Sequence, residues 1–545
     1  MLALKIRGEH FIPERTIQRA DLSWSDGIIE HMFDSLIPEP DQLAGLTAAQ
    51  LVDAARASTR AENAACARKL AGMAELLVRR TGLPAEDRLD WWIDPEAAVT
   101  AEIAAAYNIT QGLALHQTYR AVVLRDRLPK VGRLFLQGLI SDLLVRAIVS
   151  RTSMIVDADL IAAVDADLEA EILGWGALSV RKTNAAIDTI VVRHDPDALR
   201  KPRDCETTRG IEFGMPGDAP GFTSVQARMF SCDAAAGERT LLAMAYSVCE
   251  ADPRSLDDRR NDAFTALMSG ISTLACQCGI PDCEAAANPR PLRDITVFAV
   301  TDQTTPADHT PAQSEPASPR TRATVRHSRP GYIFGSGFMP APLFAAMLND
   351  AKVRGVIHPG QAGPEAGRFP SRALADFVRC RDLTCRFPGC DKPATEADID
   401  HTVPDPVGPT HASNLKCLCR FHHLLKTFWG GPNGWRDRQH PDGTVVWTAP
   451  TGHTYTTHPG SRLLFPTLCL PTATLWNGDP PEIALSEHRD MKMPRRRRTR
   501  AENRAAYIAA ERRRIAAERR RSAEERASET VRDVAAEYGN DPPPF

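Results

Sequence analysis

The sequence predicts a multidomain protein with a mainly α N-terminal region, a small α+β module rich in cysteine and histidine, and a basic helical tail. Three observations carry that expectation. A chain of 545 residues outgrows one hydrophobic core, so it divides into several structural units. Five of the thirteen cysteines fall between Cys380 and Cys419, a clustering that reads as metal ligation sooner than as disulfides. Residues 495–526 hold thirteen Arg against five Glu, a local +8, so the rest of the chain carries −11 within a net charge of −3. The remaining composition, 43% hydrophobic and 25% charged, is that of an ordinary soluble globular protein, and the sparse aromatics with abundant Ala and Arg favour helices.

Residues 1–43 form an N-terminal segment whose opening, MLALKIRGEHFIPERTIQRA, lacks the apolar run of a secretory signal. No stretch approaches eighteen uninterrupted apolar residues, so no membrane span is expected and the cytoplasm is the expected location. Residues 44–301 form a helical domain. Apolar residues recur there at three- and four-residue steps, with breaks at Asn108, Pro129 and Gly138. It closes with CQCGIPDC, and 294–300 (DITVFAV) alternates as a strand does. Residues 302–330 are rich in Pro, Thr and Ser, a flexible linker or loop. Residues 331–370 connect onward through a glycine-rich turn, a helix and a short strand. The Cys/His module occupies 371–457, and its end reads as strands joined at Pro441-Asp442-Gly443 and Pro450-Thr451-Gly452. Residues 458–493 extend it, and 494–545 form an Arg-rich helix in which AAERRR recurs seven residues apart, at Ala509 and Ala516.

Cys385 and Cys390 flank a Pro-Gly turn in CRFPGC, and Cys419 and His422 supply Cys-x-x-His. Two such pairs make a closed tetrahedral Cys3His site for a structural Zn2+. Buried free cysteine is the better reading of a single pair, but two pairs about thirty residues apart favour zinc. Cys380 and Cys417 compete as ligands and rank lower, because Cys380 lacks the turn and Cys417 lacks the i+3 partner. The run LKCLCRFHHLLKTF contains no Gly or Pro, and Ser413 and Asn414 can cap it, so one helix is expected throughout. On that helix His423 projects about 100° away from His422 and becomes a candidate ligand for a second, open site. Asp400 offers a hard oxygen and His401 a base, on opposite faces of an extended segment.

The strings DIDH, GPTHASN and LCRFHHLLK together resemble the HNH endonuclease motif, a ββα-metal fold, through His401, Asn414 and His423. The resemblance implies that His401 deprotonates the attacking water, that Asp400 and His423 hold one divalent ion, Mg2+ or Mn2+, and that Asn414 orients the loop carrying His401. Lys426, one turn beyond His423, is placed to touch a phosphate or to be a solvated helix lysine. Arg420, and Arg512 and Arg519 of the tail, are further candidate nucleic-acid contacts. Many family members carry two Cys-x-x-Cys pairs where this chain has Cys-x4-Cys and Cys-x-x-His; ligand count and softness are preserved. Upstream, RLPKVGRLFLQGLIS, HDPDALRK and DDRRNDAFTALMSG resemble the helical domain of unknown function that often precedes HNH modules in actinobacterial proteins, extending the resemblance over residues 89–457. That domain's own Cys276, Cys278 and Cys283 lack an evident fourth ligand. Cys205, Cys232, Cys249 or His194 are available, and a reduced, partly buried loop is the preferred reading.

The expected function is therefore a metal-dependent HNH endonuclease acting on DNA, with RNA as the other candidate substrate. The alternatives are a non-catalytic, zinc-stabilised DNA-binding protein, and a nuclease subunit recruited by protein partners through the helical domain. For the tail, i,i+4 Glu–Arg pairs on a solvated helix compete with salt-sensitive phosphate contacts, the preferred use.

Overall fold

Ala-, Leu- and Arg-rich stretches without internal proline become helices along the first two hundred residues. The computed structural model describes residues 37–81, 88–199, 210–214, 218–219, 222–289, 299–300, 330–335, 337–341, 344, 355–431, 433–481 and 489–538. Helices α1 (Ala48–Thr81), α2 (Pro95–Tyr107), α3 (Gln111–Asp126), α4 (Pro129–Leu136), α5 (Asp142–Arg151), α6 (Ala158–Glu171) and α7 (Val180–His194) come first. The side chains of Asp94, Ser141, Asp157 and Ser179 accept backbone N–H groups at the starts of α2, α5, α6 and α7. Pro95 and Pro129 sit in first turns, where a missing N–H costs nothing. Asn108 ends α2 in left-handed backbone at φ 50°.

Backbone contacts divide the chain into two units, residues 1–74 with 120–198 and residues 75–119 with 199–545. In the first unit α4 packs on α6, and α5 and α6 pack on α7. Val131, Phe135, Val145, Ile148, Val164, Leu168, Ile187 and Val191 are buried there. The buried Asp165 of α6 accepts the N–H groups of Lys130 and Val131 at 2.8 and 3.0 Å, so one helix caps the start of its neighbour.

The second unit takes in α2 and, beyond residue 199, the antiparallel pair β1 (Gly210–Phe213) and β2 (Val225–Arg228), followed by the packed helices α8 (Ser231–Tyr246) and α9 (Leu256–Met268). A small antiparallel sheet joins β3 (Ala299–Val300), β4 (Gly331–Ile333) and β5 (Gly337–Met339). The expected glycine-rich turn folds back between β4 and β5, with Gly335 and Gly337 at φ 90° and 85°, and the helix expected after it falls almost wholly outside the described residues. The expected linker at 302–329 lies outside the described residues. Then come α10 (Arg372–Asp382), β6 (Asp398–His401), β7 (Leu415–Leu418) and α11 (Arg420–Phe428). The antiparallel sheet of β8 (Arg436–Gln439), β9 (Val445–Thr448) and β10 (Thr454–Thr457) follows, then α12 (Ser461–Leu464) and α13 (Arg500–Tyr538).

The packing cuts across the expected division between residues 44–301 and 371–457. Trp91, Ile93, Ala97, Ala98, Ala101 and Ala105 share one core with Phe387, Leu418, Leu425, Phe428, Trp435, Val445 and Trp447. Trp429 Nε1–H donates to the Ile93 carbonyl at 3.0 Å, and the buried Glu102 accepts the Thr451 N–H at 3.1 Å. The small Ala face of α2 lets the Cys/His module close over it. The tail is not the detachable segment that its charge suggests, because its start is part of this assembly. Trp92 N–H donates to the Pro494 carbonyl at 2.8 Å, and Arg496 reaches Asp94 at 3.1 Å. Helix α13 itself starts at a reciprocal Thr499–Glu502 cap, with bonds of 2.8 and 3.2 Å. Among the described residues no helix is long and apolar enough to cross a membrane.

Candidate metal centre and the face beside it

The run expected to be one helix from Leu415 onward is split. Leu415–Leu418 pairs antiparallel with Asp398–His401 as strand β7, and only Arg420–Phe428 is helical, with Cys419 at its N-cap. Hairpin pairing and burial override helix propensity, since all four residues of β7 are buried. Ser413 and Asn414 lie in a tight turn before the strand and do not cap the helix. The result is a hairpin whose second strand turns at Cys419 into α11, which packs back on both strands.

Alternation along β6 puts Asp398 and Asp400 on one face and His401 on the other. His423, from the first turns of α11, fits between the two carboxylates. Its Nδ1 is 2.7 Å from Asp398 Oδ2, and its Nε2 is 3.5 Å from Asp400 Oδ1. With Nδ1–H donated to Asp398, the Nε2 lone pair points at Asp400. The other Asp400 oxygen receives Lys416 at 2.9 Å and Lys426 at 2.6 Å. Lys416 is fully buried and also reaches Asp437 of β8 at 2.6 Å. Burial favours protonated Asp400, but Lys416, Lys426 and His423 outweigh it and hold the carboxyl well below the usual carboxylate range. Burial likewise opposes the Lys416 cation, and Asp400 and Asp437 outweigh it.

Lys426 has a different place from the one expected. Its ammonium faces Asp400 Oδ2 and the carbonyls of His401 and Thr402, at 2.6, 2.5 and 3.2 Å, so its three donors point inward and not at solvent or phosphate. Burial pushes its pKa down despite the carboxylates beside it. Arg420 remains largely exposed, 3.3 Å from Asp398 at the rim of the same face. Arg512 and Arg519 lie seven residues apart on α13, the first half-buried and the second exposed.

On the far side of β6, His401 Nε2 lies 3.0 Å from Thr410 Oγ1, whose single hydrogen goes to the Gly367 carbonyl at 2.7 Å. The hydroxyl must therefore accept from Nε2–H, which leaves Nδ1 of His401 as the basic lone pair. Burial lowers the His401 pKa against the pull of Asp400 and Asp405, so the ring is neutral near pH 7. Asn414 is fully buried and braces the loop after His401. It accepts the Val403 N–H at 2.8 Å and donates to the Val403 and Pro409 carbonyls, both at 2.9 Å. Gly408 is required beneath it, since a Cβ there would meet the Val403 carbonyl at 1.9 Å.

Across α11, Cys385, Cys390, Cys419 and His422 converge, their ligand atoms all within 4.8 Å of one another. His422 Nδ1 is 3.3 Å from Cys419 Sγ and 3.5 Å from Cys385 Sγ. Phe387 stacks on the His422 ring at 3.9 Å and fixes its plane. Cys417 belongs to a separate apolar core, and burial pushes its thiol well above the ordinary value. Cys380 is likewise pushed up to about 12 by burial. A second group, Cys249 with Cys276, Cys278 and Cys283, meets the same 4.8 Å limit, so Cys249 supplies the missing fourth partner. His194 is engaged by Asp167 at 2.8 Å, Cys232 is exposed, and Cys205 lies outside the described residues. Both Cys/His groups could hold a metal ion such as zinc.

Sequence reasoning passed over Asp398, Lys416, Asp437 and the buried Arg381–Asp382 pair. Arg381 donates to the Ala412 and Leu415 carbonyls at 2.8 and 2.7 Å, and Asp382 accepts the Cys417 N–H at 2.8 Å. Only Asp398 had a local signal, its i,i+2 spacing from Asp400 on a strand.

Comparison with known proteins gives a family and no activity. The family model described as "Domain of unknown function (DUF222)" matches residues 57–382. Uncharacterized protein Rv2100 of Mycobacterium tuberculosis is 44% identical over 506 residues, covering 89% of this chain and 91% of its own length. Uncharacterized protein Rv3776 of the same organism is 43% identical over 488 residues, covering 88% and 93% respectively. A shorter M. tuberculosis relative, the "uncharacterized protein in est 3'region", is 36% identical over 64% of this chain and all of its own length. No solved structure matches the chain significantly. On the extent of the match and the identity of these relatives, the chain belongs to the DUF222 domain family.

Proposed function

We propose that the protein is a metal-dependent endonuclease of the HNH type, hydrolysing phosphodiester bonds in DNA. The observation that carries the reading is the pair of lone pairs, Asp400 Oδ1 and His423 Nε2, facing each other across 3.5 Å. Two ligands each about 2.1 Å from one ion stand roughly 3.0 to 3.4 Å apart, so an oxygen and a nitrogen so placed fit a shared divalent cation. Asp398 supports this by fixing the His423 tautomer, the usual outer partner of a metal-bound imidazole. Bound there, Mg2+ or Mn2+ would supply positive charge for oxygens of the scissile phosphate.

The rest of the chemistry belongs to the chain. His401, neutral and with its basic lone pair on Nδ1, takes a proton from water. Thr410 holds its tautomer, and Asn414 holds the loop that aims it. Cys385, Cys390, Cys419 and His422 would bind zinc with no position left for water, a structural role that fixes the start of α11. One observation favours the rival reading, a zinc-stabilised DNA-binding protein without turnover: Lys416 and Lys426 already neutralise Asp400 from its other oxygen.

The deciding experiment is incubation of the full chain with plasmid DNA, and separately with RNA, plus Mg2+ or Mn2+. The expected result is cleavage by the wild type and a loss of about 10^2- to 10^4-fold in His401→Ala, the range for removing a general base. Zinc content and fold stay unchanged in the variant. Intact plasmid under every metal, or full cutting by the variant, sinks the nuclease reading.

A further inference from the structure

We infer that Cys249, Cys276, Cys278 and Cys283 form a second, mononuclear zinc site, a closed tetrathiolate that staples the loop after α9 to the connection between α8 and α9. Four sulfurs lie within 4.8 Å of one another, and Cys249 Sγ is 3.5 Å from Cys276 Sγ. Zinc–thiolate bonds of about 2.3 Å in a tetrahedron place sulfurs about 3.8 Å apart, so the group is at single-ion scale. A disulfide, at about 2.05 Å, would draw two sulfurs much closer and leave the other two unexplained. The group contains cysteines only, so no ligand position is left for water and the role is structural.

The backbone around the sulfurs is arranged as a ligand loop. Gly279, at φ 70°, makes the turn that lets the Ile280 N–H point at Cys278 Sγ from 3.4 Å, an interaction that favours thiolate. Cys276 N–H donates to the Ala285 carbonyl at 2.8 Å and closes the loop behind the ligands. Asp252, three residues beyond Cys249, accepts the Gln277 N–H at 2.9 Å, and Arg254 bonds both Asp252 and the Ala275 carbonyl at 2.8 Å. That clip holds the two ligand segments in register. The apolar core nearby is small: Met244, Val248, Ala263, Ala266, Leu274 and Cys276 are its buried members. A core this size contributes little alone, and a bound ion supplies the missing stability.

The test needs no activity and stands apart from the nuclease reading. Metal analysis of the reduced full chain should find two zinc ions in the wild type, and one in Cys278→Ser/Cys283→Ser. Because that variant could misfold, native alkylation with iodoacetamide followed by peptide mass mapping serves as the second arm. Exposed Cys232 should react at once, while the four cysteines stay protected until a strong chelator removes the metal. Zinc content unchanged in the variant, iron in place of zinc, protection that survives chelation as a disulfide does, or four cysteines reacting as fast as Cys232 would each overturn the site. Loss of the other zinc in Cys390→Ser, with this one retained, would leave it standing.

Discussion

The Cys385–Cys390–Cys419–His422 group sits at the start of α11, and one residue along that helix His423 turns the other way, into Asp398 and Asp400. The Cys249–Cys276–Cys278–Cys283 group is tied down by a backbone N–H, a glycine turn and the Asp252–Arg254 clip, and its ligand set contains no imidazole or carboxylate. The ligand chemistry of the two is nearly the same; their neighbours are not. A sulfur cluster by itself argues only for a held-together loop. What gives the first cluster functional interest is the charged face that it positions, so the function should be sought on His401, Asp400 and His423 and not on the sulfurs.

The largest expected effect breaks the comparison along that line. Structural zinc contributes on the order of 10 kcal/mol to small sites, more than the net stability of such a module. Cys419→Ser should therefore lose one ion, expose residues 371–457 to proteolysis and abolish plasmid cleavage. Cys278→Ser should lose the other ion and keep cleavage. If both variants cut equally well, the two clusters do not differ in the way the geometry implies.

Next in size is Lys416→Met. The substitution removes one of the two lysines that Asp400 and Asp437 share, and breaking a buried ion pair from one side costs roughly 3–5 kcal/mol. Urea unfolding should show that loss in the transition that includes the module. An unchanged midpoint would mean that Lys426 alone satisfies both carboxylates.

Smaller again is Asp398→Asn, which keeps the side-chain shape and removes the charge behind His423 Nδ1. Outer partners of metal-bound imidazoles typically cost 10- to 100-fold in affinity when changed. Mn2+ titration of the variant should weaken by about that factor while zinc content stays constant. Unchanged Mn2+ affinity would separate Asp398 from the metal reading and leave it as a partner of Arg420.

The sequence made the first cluster readable because its ligands come in short pairs, Cys385 with Cys390 and Cys419 with His422. Cys249 was harder to assign, since it reaches Cys276 only after the whole of α9 has folded between them. The same limit hid Lys416. A lysine inside a Leu-Lys-Cys-Leu run reads as helix and solvent, and only pairing with Asp400 across the hairpin, plus Asp437 from another sheet, turns it inward. Helix propensity over 415–418 lost to that pairing. Trp91 and Asp94 were invisible for a further reason: their partners, Phe428 and Arg496, stand hundreds of residues away. Local spacing showed which residues carry chemistry; long-range packing decided what each one faces.

The smallest expected effect concerns the tail, where holding and acting can be separated within one basic segment. Arg495, Arg496 and Arg500 are bound to Asp90 and Asp94, so removing everything from Pro494 would damage the body along with any nucleic-acid binding. Arg513, Arg519, Arg520 and Arg521 lie exposed further along α13, beyond those ion pairs. Changing these four to Gln preserves helix propensity and removes positive charge. If they touch phosphates, each neutralised arginine should flatten the slope of log affinity against log salt by about 0.9 on duplex DNA. Cleavage at low salt should survive, because no residue of the Asp400–His401–His423 face lies on α13. By contrast, Arg496→Gln should lower stability by weakening the α2 N-cap at Asp94, without changing the salt slope. The measurement is a DNA-binding titration at several salt concentrations for the wild type and both variants. Equal slopes for all three would make α13 a solvated helix whose Glu and Arg residues satisfy one another.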